Sequence, residues 1–415
     1  MMNSGPYYNL KVGDSLNHLS LIWILLLVFI VFSRVIGLIP SAPISLFVIV
    51  LFLALVTSVF RPDPIQIYFP ILVFFIYLLV NIVVTSPPEV FNSRVRLLFF
   101  CIVTSVVSPM IQSSAFRIFR QQLLLVLLYG CVLVAAISFF SYFLGINLMR
   151  GYDSELIDDY VASAGLFGGI TIQSMVLGPI SGIASIFMLV TLIRNRKFLS
   201  LLLLIICLGS LLFSASRSAL LATATGLAIV LYKTVSDKGQ FFKILFVVLV
   251  VAVISFPLWK SAISGLLLKQ TIRSEIGGQY DSRTALFINR FREIRESPII
   301  GVGFSSIRYG FVRISGTIEP GSSWLAILSM TGLIGFAFFI KLVTDSFRGI
   351  RNYIDNTKVS SLLFGLFFFF IVHMFFEGYV FAANSFFFFI LWTVIGVSID
   401  GLYYDNDSRI NYCSY

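Results

Sequence analysis

Histidine is almost absent from this chain, which has two in 415 residues, His18 and His373. That leaves little choice of imidazole for an acid–base step. Charge is scarce too, at 12% of residues against roughly 25% in soluble domains, so a water-covered surface is excluded. The four cysteines make no disulfide framework, because Cys101, Cys131 and Cys207 fall in apolar runs and Cys413 lies in the terminal tail. A phosphate-cradling glycine loop is missing as well: Gly301-Val302-Gly303-Phe304 is too short, lacks a preceding strand and reads as a flexible turn. The chain is instead 58% hydrophobic, with a mean hydropathy of +0.99. That composition belongs to a polytopic membrane protein solvated mainly by lipid.

A hydrocarbon core roughly 30 Å thick takes about 20 apolar residues per helical span. The sequence offers twelve such runs, near 19–39, 42–60, 67–85, 95–111, 121–146, 166–193, 198–213, 218–235, 241–259, 323–343, 359–376 and 379–399. Long runs such as Leu201 to Ile206 exclude the short alternating strands of a β-barrel, so the expected fold is all-α, one integral membrane domain over 1–415. The first run lacks a small-residue cleavage site and is expected to act as a signal anchor.

Basic residues in short loops set the orientation. Arg61, then Arg117 and Arg120, then Arg194, Arg196 and Lys197, then Lys233, Lys238 and Lys243, then Lys341, Arg348, Arg351 and Lys358 mark alternate loops as cytoplasmic. Both termini then lie inside, and the long loop 260–322 between the ninth and tenth spans faces out. Much of the net charge of +10 is this topological bias, and it carries no expectation of nucleic-acid binding.

The outer face holds the informative polar groups. Arg217 sits in a turn too short for a domain, Phe213-Ser214-Ala215-Ser216-Arg217-Ser218-Ala219. It reads either as an interfacial arginine snorkelling to lipid phosphate or as part of a polar pocket shaped by the small residues beside it. The outer loop adds Arg273, Arg283, Arg290, Arg292, Arg295, Arg308 and Arg313, and arginine suits bidentate phosphate recognition. Residues 281–297 read as an amphipathic helix stopped by Pro298, with Arg283 and Arg290 seven residues apart on one face. A charged helix resting on the membrane surface, its Glu293 and Glu296 pairing locally, is the plainer alternative.

Three blocks, Ser216-Arg217, Arg283 to Gly303, and Gly332-Leu333-Ile334-Gly335, resemble in order and spacing the O-antigen polymerase and ligase superfamily of bacterial inner-membrane glycosyltransferases. The resemblance covers roughly residues 165–400. It implies a GT-C-like helical bundle with one large periplasmic loop containing short helices, and transfer of a glycan from an undecaprenyl diphosphate carrier without metal or other cofactor. Membrane lipids and lipid-linked oligosaccharides are the implied partners, together with a chain-length regulator protein. In the ligase branch a histidine-asparagine pair opens the helix that ends in the glycine motif; here the equivalent positions are Gly321 and Ser322. That departure favours the polymerase branch, the Wzy type, over the ligase.

On this reading Arg217, Arg283 and Arg290 are the diphosphate-binding candidates, with Arg273, Arg308, His373 and Tyr280 as weaker substrate contacts. Glu319 and Glu377 are the candidate catalytic carboxylates, since an attacking hydroxyl gains from a nearby base. Each also has a plainer reading, Glu319 as an exposed loop carboxylate and Glu377 as a partner of Arg217 or His373. The acidic loop Asp153 to Asp159 reads as a solvated loop rather than a metal site. A transporter is the reading from another class. The nearly charge-free midmembrane stretches and the large outward loop after span nine argue against it.

Overall fold

The computed structural model describes residues 18–59, 65–149, 167–235, 239, 282–309, 321–353 and 357–403. Within them the chain forms helices α1 (His18–Ser33), α2 (Ile44–Val59), α3 (Phe69–Thr85), α4 (Ser93–Val107), α5 (Ser114–Phe143), α6 (Ser174–Asn195), α7 (Phe198–Phe213), α8 (Arg217–Thr234), α9 (Ser282–Glu296), α10 (Ser323–Asn352), α11 (Thr357–His373) and α12 (Phe386–Asp400). Runs of Leu, Ile, Val and Phe drive most of them, because a lipid-facing backbone must satisfy its own hydrogen bonds. Caps fix several starts: Ser113, Ser322 and Ser385 accept from Phe116, Leu325 and Phe388 N–H.

The all-helical expectation holds; the twelve-span arrangement is only partly matched. Five described helices are long and apolar enough to cross a membrane, Glu89–Val107 (which takes in a short 3-10 turn), α5, α6, α10 and Phe386–Tyr403, and five shorter apolar helices accompany them. α8 is more polar, with Ser218, Thr223, Thr225 and Lys233 in its 18 residues. The expected span 241–259 lies outside the described residues, as does most of the loop 260–322. Inside that loop the expected amphipathic helix is present as α9.

The bundle has two distinct ends. At the one where α1 finishes, Ile36 pairs with Thr171 and Arg34 reaches the Asn384 carbonyl at 2.9 Å. At the opposite end Gln66–Ile67 (β1) pairs antiparallel with Ile111–Gln112 (β2). There Arg120 is fully buried, its Nε 3.0 Å from Asp400 Oδ2 and its Nη1 bonded to the carbonyls of Ser108 and Ile111. It is therefore not the solvated loop charge its position in the sequence suggests; α5 begins six residues earlier and carries it inward. Lys341 and Arg348 likewise lie within α10, which runs on to Asn352, and both pair with Asp345.

Phe100 is the hub of the aromatic core, with ring centroids of Phe75, Phe304, Phe381, Phe388 and Trp392 between 5.5 and 5.8 Å away. Phe304, from the loop between α9 and α10, thus anchors that loop inside the bundle.

Candidate functional site

Gly332 interrupts α10 with φ 63° and ψ −170°. Breaking a helix strands the carbonyls before the break and the N–H groups after it, and in an apolar bundle they need other partners. The segment that follows α9 supplies them. Val302 and Gly303 N–H donate to the carbonyls of Ser329 and Met330 at 2.8 and 3.0 Å, while Leu333 and Ile334 N–H donate to those of Pro298 and Ile299 at 2.8 and 3.3 Å. Only glycine fits at the crossing: a Cβ on Gly332 would lie 2.2 Å from the Ile299 oxygen, and one on Gly301, at φ +84°, 2.5 Å from the Met330 carbonyl carbon.

Asn81 of α3 clamps this junction. Its Nδ2 donates to the Ile300 carbonyl and its Oδ1 accepts from Phe304 N–H, both at 2.7 Å, while Tyr77 Oη donates to the Thr331 carbonyl at 2.5 Å. Gly301 to Phe304 is therefore not the flexible turn its composition suggests. All four residues are buried and bonded, because their backbone completes a broken helix.

Arg290 points inward from α9. It is 0% exposed, 2.8 Å from Glu293 Oε2 and 3.3 Å from Ser329 Oγ of α10. Its Nε and Nη2 are buried with no hydrogen-bond partner among the described residues. Glu293 in turn accepts from the backbone N–H groups of Arg308 and Tyr309 at 2.8 and 3.2 Å. Burial pushes its carboxyl above the usual carboxylate range, opposed by the Arg290 charge and those N–H donors. Both local pairings expected for this helix are present: Glu293 pairs with Arg290, and Glu296 meets Arg308 at 3.3 Å and Arg292 at 4.0 Å on the exposed side, with Arg292 also lying over the Tyr309 ring.

Arg217 is the first residue of α8, at the same end of the bundle, and its side chain is exposed. The turn that presents it is tight: Ala215 has φ 49°, and Ser214, Ser216 and Ser218 are buried around it. Glu377 is half-buried just beyond α11, and its backbone carbonyl accepts from Ser323 N–H at 3.0 Å and Ser323 Oγ at 2.7 Å. His373 is fully buried, stacked on Phe369 and 3.2 Å from Tyr379 Oη through Nδ1. Arg308 is exposed. Arg283 lies on α9 but its side chain is outside the description, and Glu319, Arg273, Tyr280 and the acidic loop 153–159 lie outside the described residues altogether.

The structure thus joins the second and third sequence blocks directly. Residues 202–340, which run from α7 into α10 and take in all three blocks, match the family model described as O-antigen ligase. That match, over the middle part of the chain, supports membership of the O-antigen polymerase and ligase superfamily. No curated protein matches the chain. The family match supports an O-antigen polymerase- or ligase-type membrane enzyme.

Two further polar groups at this end of the bundle lie outside the three sequence blocks. Asn81 is a lone amide in an apolar helix, and Arg96 of α4, half-buried, donates from Nη1 to Ser305 Oγ at 3.1 Å. The signal for Arg96 was present: Arg94 and Arg96 fall in the first turn of α4, at the end the charge pattern places outside, against the bias that explains the short-loop basic residues.

Proposed function

We propose that the protein is a polymerase of lipid-linked oligosaccharide repeat units. The acceptor, a hydroxyl on the terminal sugar of one unit, attacks the anomeric carbon of another. The new C–O bond forms as the bond to undecaprenyl diphosphate breaks, and the leaving diphosphate takes the electron pair. Arg217 and Arg283 hold that diphosphate, because guanidinium groups fixed in a partly dry site stabilise concentrated negative charge without having to reorganise. Arg290 fixes the helix that carries Arg283: its contact to Ser329 pins α9 to α10, and its partner Glu293 holds the Arg308 and Tyr309 backbone that follows α9. Glu377 or Glu319 accepts the hydroxyl proton, a contribution of about 10² to 10⁴ in rate. The reaction is placed on the periplasmic side of the bacterial inner membrane, with both termini cytoplasmic and a chain-length regulator as partner.

One observation carries the choice of polymerase over ligase. The position where the ligase branch has its histidine is Gly321, at φ +75°, and the next residue, Ser322, is used to cap α10 and to bond the Met374 carbonyl. The imidazole of His373 is fully buried and stacked on Phe369 in the aromatic core. Incubating the purified protein with lipid-linked repeat units alone tests the reading. A ladder of products at multiples of the repeat is expected, and its absence in a protein that does transfer glycan to lipid A core overturns it in favour of the ligase.

A further inference from the structure

A groove of about 460 Å³ lies between α2, α4, the start of α10 and the 378–384 connection that leads into α12. Its size falls within the roughly 300–1,000 Å³ of ligand sites. The lining is apolar except for Arg96, Ser305 and Asn384. Its outer lip is built of Ile44, Val95 and Leu98, which are 54, 65 and 62% exposed, so in a membrane the groove opens sideways onto hydrocarbon. At its polar end Arg96 is held by Ser305, and Ser305 keeps a left-handed backbone at φ 54° directly after the segment that completes α10. Backbone strain of that kind in a non-glycine residue persists where the surroundings over-determine it.

An apolar slot open to lipid and headed by one half-buried guanidinium matches a single long hydrocarbon chain that carries a phosphate. We propose that this groove seats the isoprenoid tail of the acceptor, the second lipid-linked unit, with its phosphate on Arg96. The proposal rests on the polymerase reading for the identity of the lipid. Two stations follow from the packing: α8, headed by Arg217, packs on α11 and α6, whereas α4, bearing Arg96, packs on α2, α12 and α3. The connection from α11 to α12 runs between these two sets of helices, and along it Glu377 immediately precedes Gly378, a groove residue. A lipid in the groove therefore brings its sugar to the segment that carries the candidate base, opposite a donor held at Arg217.

The test uses the full-length protein in nanodiscs of phosphatidylethanolamine and phosphatidylglycerol, with a diazirine-bearing polyprenyl diphosphate as the probe and mass spectrometry to map the cross-links. Labelling of peptides covering 44–48, 95–102 and 378–384 is expected. Arg96→Gln should lower it roughly tenfold, the loss of one charge-assisted hydrogen bond. Ala382→Trp, which fills the groove and leaves the arginine in place, should lower it too. Labelling confined to other helices overturns the proposal, as does displacement of the probe by excess phosphatidylglycerol as complete as by unlabelled polyprenyl diphosphate. If Arg96→Gln does not fold, the map on the parent protein and the Ala382→Trp variant still decide. Labelling is read without turnover, so the two readings fail separately: groove labelling in a protein that builds no polymer overturns the polymerase and keeps the lipid groove, and polymer without groove labelling does the reverse.

Discussion

Arg290 and Arg217 show how differently two arginines of one motif set are used. Arg290 is enclosed with Glu293 between α9 and α10, and removing one partner of a buried pair leaves the other uncompensated. Arg290→Ala should therefore cost about 3–5 kcal/mol, seen as a lowered unfolding midpoint in detergent. The double replacement Arg290→Met with Glu293→Gln, which keeps an acceptor for the Arg308 and Tyr309 N–H groups, should recover most of that stability and retain chain growth. A stable double variant that builds no polymer would return Arg290 to the diphosphate-binding group. Arg217 is exposed at the head of α8, so Arg217→Ala should leave the unfolding midpoint within about 0.5 kcal/mol of the parent while abolishing the polymer ladder. Normal polymer from that variant would remove the residue from the site.

At the scale of elements, the junction between the α9–α10 connection and the broken α10 is the feature on which the site depends. Gly332→Ala places a Cβ against the Ile299 carbonyl in a left-handed backbone, a strain of about 1–3 kcal/mol. Asn81→Leu removes both bonds of the clamp and leaves the Ile300 carbonyl and Phe304 N–H short of a partner, at about 1–3 kcal/mol for each unsatisfied group. Both variants should lower the unfolding midpoint and polymer yield together, and an unchanged midpoint in either would contradict this view of the junction. The glycines themselves were legible as a motif in the sequence. Their purpose was not, because the hydrogen bonds they permit join residues about 30 apart in the chain, and the amide that clamps them lies more than 200 residues earlier. Composition alone reads Gly301 to Phe304 as a loop, since nothing local announces that it finishes a helix.

Over the described residues, the helical class and the positions of most apolar helices were written in the hydrophobic runs, since a bilayer imposes length and apolarity on every segment. Side-chain pairing between distant helices was not. Arg120 counted as a cytoplasmic loop charge by its neighbours, yet it pairs with Asp400, 280 residues away, and ties α5 to the end of α12. That lock sits at the end of the bundle opposite Arg217. Asp400→Ala should cost about 3–5 kcal/mol while leaving turnover per folded molecule close to that of the parent, a split read by comparing unfolding midpoint with activity normalised to folded protein. Loss of turnover at full folding would mean that the two ends are coupled. The candidate site was legible in part: Arg217, Arg290 and Glu377 do lie at or near one end of the bundle, whereas Arg96 required the fold to bring Ser305 to it. The claim that unites these scales is that the molecule joins one lipid-linked unit to another. A single reaction that offers the purified protein lipid-linked repeat units together with lipid A core tests it most directly. Glycan should accumulate on the polyprenyl lipid as a ladder while the core stays unmodified; transfer to the core with no ladder would contradict the polymerase.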